Sequence, residues 1–467
     1  MDGYRRPGQS TPFASFIALI TFGGAYTVSV AKWKCSMKKW IIAAMVFAFA
    51  CSPPSKGSAE MDIVARDYVK FVLEVGLYDS DFIDAYYGPE ELKPAADRKE
   101  AEFPYERFKN DAEALQQRLR TIDLSAAEPI LQMRKTSLDK QLTAAASRID
   151  FLAGHLRPFD EESAAQYDAV APTYSAGHFD ALLAELEKAL PGEGTLTDRV
   201  AAFRKDFIIP KDKLDAVFTA AIDAARERTR QHIPLPPQES FRVEYVTDKA
   251  WSGYNWYKGN AYSLIQVNTD LPSYIDRAID LACHEGYPGH HVFNALLEKN
   301  FVVGRGWVEF SVYPLFSPLS LIAEGSANYG IDVAFPGNER IAFEKQVLFP
   351  LAGLDPGRAE AYYRIQELTQ KLSFADNEAA RGFLDGKISR EQAIDWLMKY
   401  ALMTPDRAAQ RLRFIEKYRS YVINYNMGLQ LVRNWIEKQG GTADQPQKRW
   451  DVFEKLLSAP YTPSSLN

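Results

Sequence analysis

The chain has 467 residues, of which 46% are hydrophobic and 25% charged, and a formal net charge of −6. This is the balance of an ordinary globular protein, long enough for one large domain or two to three smaller ones. Six basic residues against the single acid Asp2 fall in the first fifty positions, leaving a body of 49 basic and 60 acidic residues at −11, which repels phosphate backbones and argues against nucleic acid as a partner.

Two apolar stretches open the chain. The second, "MKKWIIAAMVFAFACSPPSKGSAE", resembles a bacterial lipoprotein signal over residues 37–51, with Cys51 as the lipidated residue and residues 52–60 as a linker. Its apolar core of about a dozen residues is too short for a membrane span of about 20. Ala48 departs from the leucine or valine usual at that place. The resemblance implies export and a lipid anchor at the cell envelope, in the outer membrane or periplasm. The first stretch, "TPFASFIALITFGGAYTVSVA", reads either as an anchor or longer signal or, more simply, as part of an over-extended start over residues 1–36, with translation beginning at Met37. After residue 60 no uncharged stretch approaches span length. Beyond Cys35 and Cys51 only Cys283 remains, so no disulfide holds the core.

From residue 60 onward helical periodicity dominates. "MDIVARDYVKFVLEVGL", "AAFRKDF", "KDKLDAVFTAAIDAARERTRQHI" and "REQAIDWLMKYAL" place apolar residues at three- and four-residue spacing. Ser389 with Gln392 reads as a capping box, and Thr404-Pro405 as a cap followed by a first-turn proline. The exception is Phe241 to Thr269, whose β-branched and aromatic residues, broken by Gly253 and Gly259-Asn260, predict two or three short strands. The expected architecture is mainly α: an N-terminal helical half over 61–235, and a second half over 236–467 with a small sheet just before a metal-binding helix. The halves are expected to meet around one cleft.

"LACHEGYPGHHVF", Leu281 to Phe293, carries three of the six histidines. A familiar zinc-peptidase helix reads His-Glu-x-x-His, because residues four apart share a face about 6 Å apart. Here Pro288 stands four after His284, and in an unbroken helix His291 would lie about 10.5 Å along the axis from His284. Proline breaks the helical hydrogen bonding and glycine tolerates unusual backbone angles. If Pro288-Gly289 bulges out, His290 takes the place of the second ligand. A bland alternative ends the helix at Pro288 and leaves the histidines lining a turn. His291 could replace His290 as ligand, or act as a catalytic donor. Cys283 reads as a small buried residue.

A catalytic zinc site has three protein ligands. "SLIAEGSANYGIDVAF" supplies Glu324 among small residues, with Asn328 one turn on, where it could accept the other ring N–H of a ligand histidine.

"HEGYPGHH", "EGSANYG" and "INYNMG", with the upstream "GNAYSLIQVNTDLP", resemble the large bacterial family known as domain of unknown function 885, over most of residues 60–460. That family is regarded as related to helical zinc metallopeptidases. The resemblance implies a largely helical fold around a deep cleft, one zinc ion on His284, His290 and Glu324, and Glu285 as general base. The chain departs from the family at Ser326, where many members carry tryptophan, and at Ile331, where an acid is usual; Asp332 is one step late.

The expectation is therefore a zinc-dependent peptidase acting on short peptides, exo- or dipeptidase-like, in which Glu285 takes the proton of a zinc-activated water. Tyr425, matching the family tyrosine, is the expected oxyanion donor; Tyr421 is its competitor. "YSLIQVNTD" either runs along the substrate as an edge strand, with Asn268 as anchor, or is plain core sheet. The rival readings are an amidase on non-peptide amides and a metal-stabilised envelope lipoprotein without turnover.

Overall fold

The periodic segments form helices in the computed structural model, which describes residues 56–95, 102–249, 253–270 and 272–467. The expected start at Met37 and the anchor at Cys51 lie outside the described residues. The first helix, Lys56–Val75, buries Met61, Val64, Ala65, Tyr68, Val69 and Val72, the three- and four-residue stripe that its sequence presents. The helix Arg390–Tyr400 starts at the capping box, with both the Ser389 and the Gln392 bonds formed. Thr404 caps the next helix, Pro405–Tyr418, by position alone, without a side-chain bond. No helix among the described residues is long and apolar enough to cross a membrane.

The predicted β region is a three-stranded sheet of β2 (Ser240–Val246), β3 (Gly253–Tyr257) and β4 (Tyr262–Asn268). Its spatial order is β2-β4-β3, with β2 parallel and β3 antiparallel to β4. A second, two-stranded ladder joins β1 (Ile83–Tyr86) to β5 (Val312–Pro314) across a long separation in sequence. The fold is thus mainly α with a small β element, and Pro54–Asn467 is one compact unit. One apolar core runs from Met61 to Leu466 through both halves of the sequence.

Buried ion pairs tie the early helices to the later ones. Arg134, 1% exposed, bonds Glu309 and Asp62 at 2.6 Å each. Arg148 bonds Asp79 at 2.6 Å. Glu162 pairs with Arg419 and accepts the Ser420 hydroxyl at 2.6 Å, fixing the turn just before Tyr421. A buried charge left without its partner costs about 3–5 kcal/mol, so these contacts hold the segments in register. The helices Pro318–Ala334 and Ile423–Lys438 cross at Gly325 and Gly428, where neither has room for a side chain.

Candidate metal site

The helix Asp276–Leu281 runs into a π-helical turn, Ala282–Gly286, that carries His284 and Glu285. The chain then breaks at Tyr287 and Pro288, joined by a cis peptide bond, and a new helix begins at His290. The expected bulge is therefore an end and a restart, not a loop within one helix. Gly289 makes the turn possible. Its N–H donates to the Cys283 carbonyl at 2.9 Å, and a Cβ there would fall 2.0 Å from the His284 carbonyl oxygen.

The break brings His284 Nε2 and His290 Nε2 to 3.1 Å. Glu324 Oε2, from the Pro318–Ala334 helix, lies 3.4 Å from the first and 3.9 Å from the second. Donor atoms around a tetrahedral ion with bonds of 2.0–2.1 Å stand about 3.3–3.4 Å apart. Glu324 Oε2 is also buried without a hydrogen-bond partner, and a buried acceptor facing two ring nitrogens calls for a cation. These three residues form a site that could hold a metal ion.

Neighbouring groups orient the three. Asn328 Oδ1 lies 3.1 Å from His284 Nδ1, so the Nδ1–H donates and Nε2 is the nitrogen that would face an ion. Asn328 Nδ2 in turn donates to the Tyr425 carbonyl at 3.3 Å. The Tyr421 hydroxyl donates to Glu324 Oε1 at 3.1 Å. The two imidazoles titrate in opposite directions. Burial alone would lower His284, but the Glu324 carboxylate 3.4 Å away and the charge of Glu285 raise it to about 9. Burial and the neighbouring His284 push His290 down to about 4. Two like charges this close repel, so at neutral pH the pair carries one positive charge at most.

Glu285 is 6% exposed, and burial, with the nearby Glu324 charge, lifts its carboxyl to about 6 against the pull of His284. Asn255 Nδ2 donates to its carbonyl at 2.6 Å. A Cβ on Gly253 would lie 3.2 Å from Glu285 Oε1 and 2.5 Å from Leu281, so glycine lets β3 approach the carboxylate. Glu285, His284, His290, Glu324, Tyr421 and Tyr425 all line one cleft of about 1570 Å³, larger than the 300–1,000 Å³ of a typical small-molecule pocket.

No family model matches the sequence, and no curated protein matches it. Among solved structures, the chain is similar to a candidate lipoprotein from Colwellia psychrerythraea, at 16% identity and a TM-score of 0.47. The match covers 77% of this chain and 65% of that one, so the chain spans less than two-thirds of the neighbour's length.

Some expected roles change. His291 is fully buried and turned away from the cleft: its Nε2–H donates to Glu239 at 3.2 Å and its Nδ1 accepts from Ser263 at 2.9 Å. Adjacent helical residues point about 100° apart, so His290 facing the cleft sends His291 into the core. It is neither beside the other ligands nor placed to donate to a substrate. Cys283 is the small buried residue expected, its thiol pushed well up by burial. β4 has neighbours on both sides, which removes "YSLIQVNTD" as an edge strand. Asn268 bonds the Lys249 carbonyl and the Asp270 N–H. The edges are β2 and β3, and all five residues of β3 line the cleft.

Three cleft residues carried no signal in the sequence: Asp84, Tyr254 and Tyr313. Each sits on a short strand without a motif, and only strand pairing brings them to the histidines.

Proposed function

We propose that the protein is a zinc-dependent peptidase acting on short peptides, lipid-anchored through Cys51 at the cell envelope. The observation that carries this reading is the convergence of His284, His290 and Glu324 in a peptide-sized cleft that also holds the carboxyl of Glu285. The set of two imidazoles and one carboxylate matches catalytic zinc, which keeps an open position, whereas structural sites close with four ligands and often with cysteines. The resemblance of "HEGYPGHH" and "EGSANYG" to the domain of unknown function 885 family points the same way.

Bound there, zinc would supply Lewis-acid polarisation of a carbonyl and acidification of water. The chain's own residues do the rest. Glu285, its carboxyl near 6, is ionised at neutral pH yet basic enough to take a proton from water and pass it to a departing amine. Tyr425 lines the same cleft, and burial and the Glu324 charge hold its phenol well above the usual value, so it stays a neutral donor for developing negative charge. Tyr421 is committed to Glu324 and orients that ligand. The edge strand β3 offers an extended substrate a backbone to pair with.

The test is digestion of a defined peptide mixture by the purified protein and by Glu285→Gln, with fragments read by mass spectrometry and zinc content measured for both. Cleavage by the parent alone, with zinc in both, is expected. A zinc-loaded parent that cuts no peptide would move the assignment to an amidase on other amides or to a lipoprotein without turnover.

A further inference from the structure

Asp84 reaches the cleft from far outside the histidine and glutamate motifs. In the β1–β5 ladder Ile83 lies opposite Pro314 and Ala85 opposite Tyr313, so Asp84 is the extra residue of a bulge. Bulges re-aim a side chain and recur beside active sites. Here the bulge sends Asp84 into the cleft, where its carboxylate accepts a hydrogen bond from Tyr254 on β3.

Asp84 is close enough to the proposed centre to feel its charges: burial first, then Glu324 and Glu285, lift its carboxyl to about 7. Among the described residues it makes no ion pair. Asp84, Glu285 and Glu324 are acidic groups that line one cleft. On the same wall Asn255 turns Nδ2 to the Glu285 carbonyl and leaves its buried Oδ1 without a donor. What fills this end of the cleft should therefore bring N–H donors, a cationic one for the Asp84 carboxylate among them. At exposed positions on the Pro405–Tyr418 helix, Arg407 and Arg413 line the cleft with the opposite sign.

We propose that Asp84 binds the α-ammonium group of the substrate, so that the enzyme reads free amino termini as an aminopeptidase-type exopeptidase and does not cut within chains. A short peptide would then lie with its amine at the carboxylates and its carboxyl end toward the exposed arginines. This inference rests on the peptidase reading and gives it a substrate class.

Matched short peptides, one with a free amino terminus and one N-acetylated, test it with the full-length zinc-loaded protein. The parent is expected to prefer the free peptide about 100-fold in kcat/KM, as loss of a charge-assisted anchor predicts. Asp84→Asn should lose most of that preference, through a rise in KM for the free peptide well beyond any change on the acetylated one, with zinc retained. Tyr254→Phe keeps the carboxylate but frees it, and should raise KM for the free peptide alone by a smaller factor. Equal cleavage of both peptides by the parent, or an equal loss on both in Asp84→Asn and Tyr254→Phe, overturns the proposal while leaving the peptidase reading intact. Cleavage of neither by the zinc-loaded parent overturns both.

Discussion

Gly325 and Gly428 face each other where two helices cross, so closely that a Cβ on Gly325 would lie 2.4 Å from the Gly428 carbonyl oxygen. A Cβ on Gly428 would meet the Leu321 carbonyl at 2.8 Å. Backbone on both sides cannot move aside as a flexible side chain can. This crossing sets the distance from Tyr421 to Glu324 and from the Tyr425 carbonyl to Asn328. Replacing either glycine by alanine should therefore cost about 1–3 kcal/mol of stability through overpacking and weaken metal binding as well. Denaturant midpoints and zinc titration of the two variants check this; parental values for both would show that the crossing does not position the site.

The two tyrosines should separate by readout. Tyr421→Phe removes the bond to Glu324 and should lower metal affinity about 10–100-fold, the usual cost of losing a group that orients a ligand. Tyr425→Phe should keep the metal and lower kcat about 100–1,000-fold, as loss of an oxyanion donor does. The reverse pattern would exchange their roles.

Behind the site, Glu239 holds His291 and Tyr287 in place and pairs with Arg226 and Arg230. Burial would raise its carboxyl, but these four bonds outweigh burial and hold it at about 2. A folded value below the ordinary 4.5 or so means stability that is complete above that pH and fades as pH falls toward 2. Glu239→Gln should cost about 2–3 kcal/mol at pH 7, and its difference from the parent should shrink at pH 3. Urea unfolding at both pH values measures this. A difference that does not change with pH would mean that the carboxylate's charge plays no part.

The three converging residues were legible because each belongs to a local pattern: two histidines around Pro288-Gly289, and a glutamate amid small residues. Asn328 was legible for the same reason, one helical turn from Glu324. The helices followed from periodicity and the three strands from composition. Strand order was not legible, since β4 lies between β2 and β3 although it follows both in sequence; of the two readings of "YSLIQVNTD", core sheet is the one that holds. His291 remained an alternative to His290 in the sequence, and the restart of the helix at residue 290 sets His290 toward the cleft. Asp84 had no local signal, because a bulge exists only in the pairing of β1 with a strand far along the chain, and Tyr254 lay in a predicted strand segment whose place beside the cleft depends on that strand order.

His284, His290 and Glu324 are expected to hold one metal ion, and His291 to take no part in it. Metal analysis of the purified parent, His290→Ala and His291→Gln, with circular dichroism to confirm folding, tests it most directly. One zinc per chain is predicted in the parent and in His291→Gln, and none in His290→Ala. A folded parent that binds no zinc when it is supplied, or zinc kept by His290→Ala and lost from His291→Gln, would rule this ligand set out.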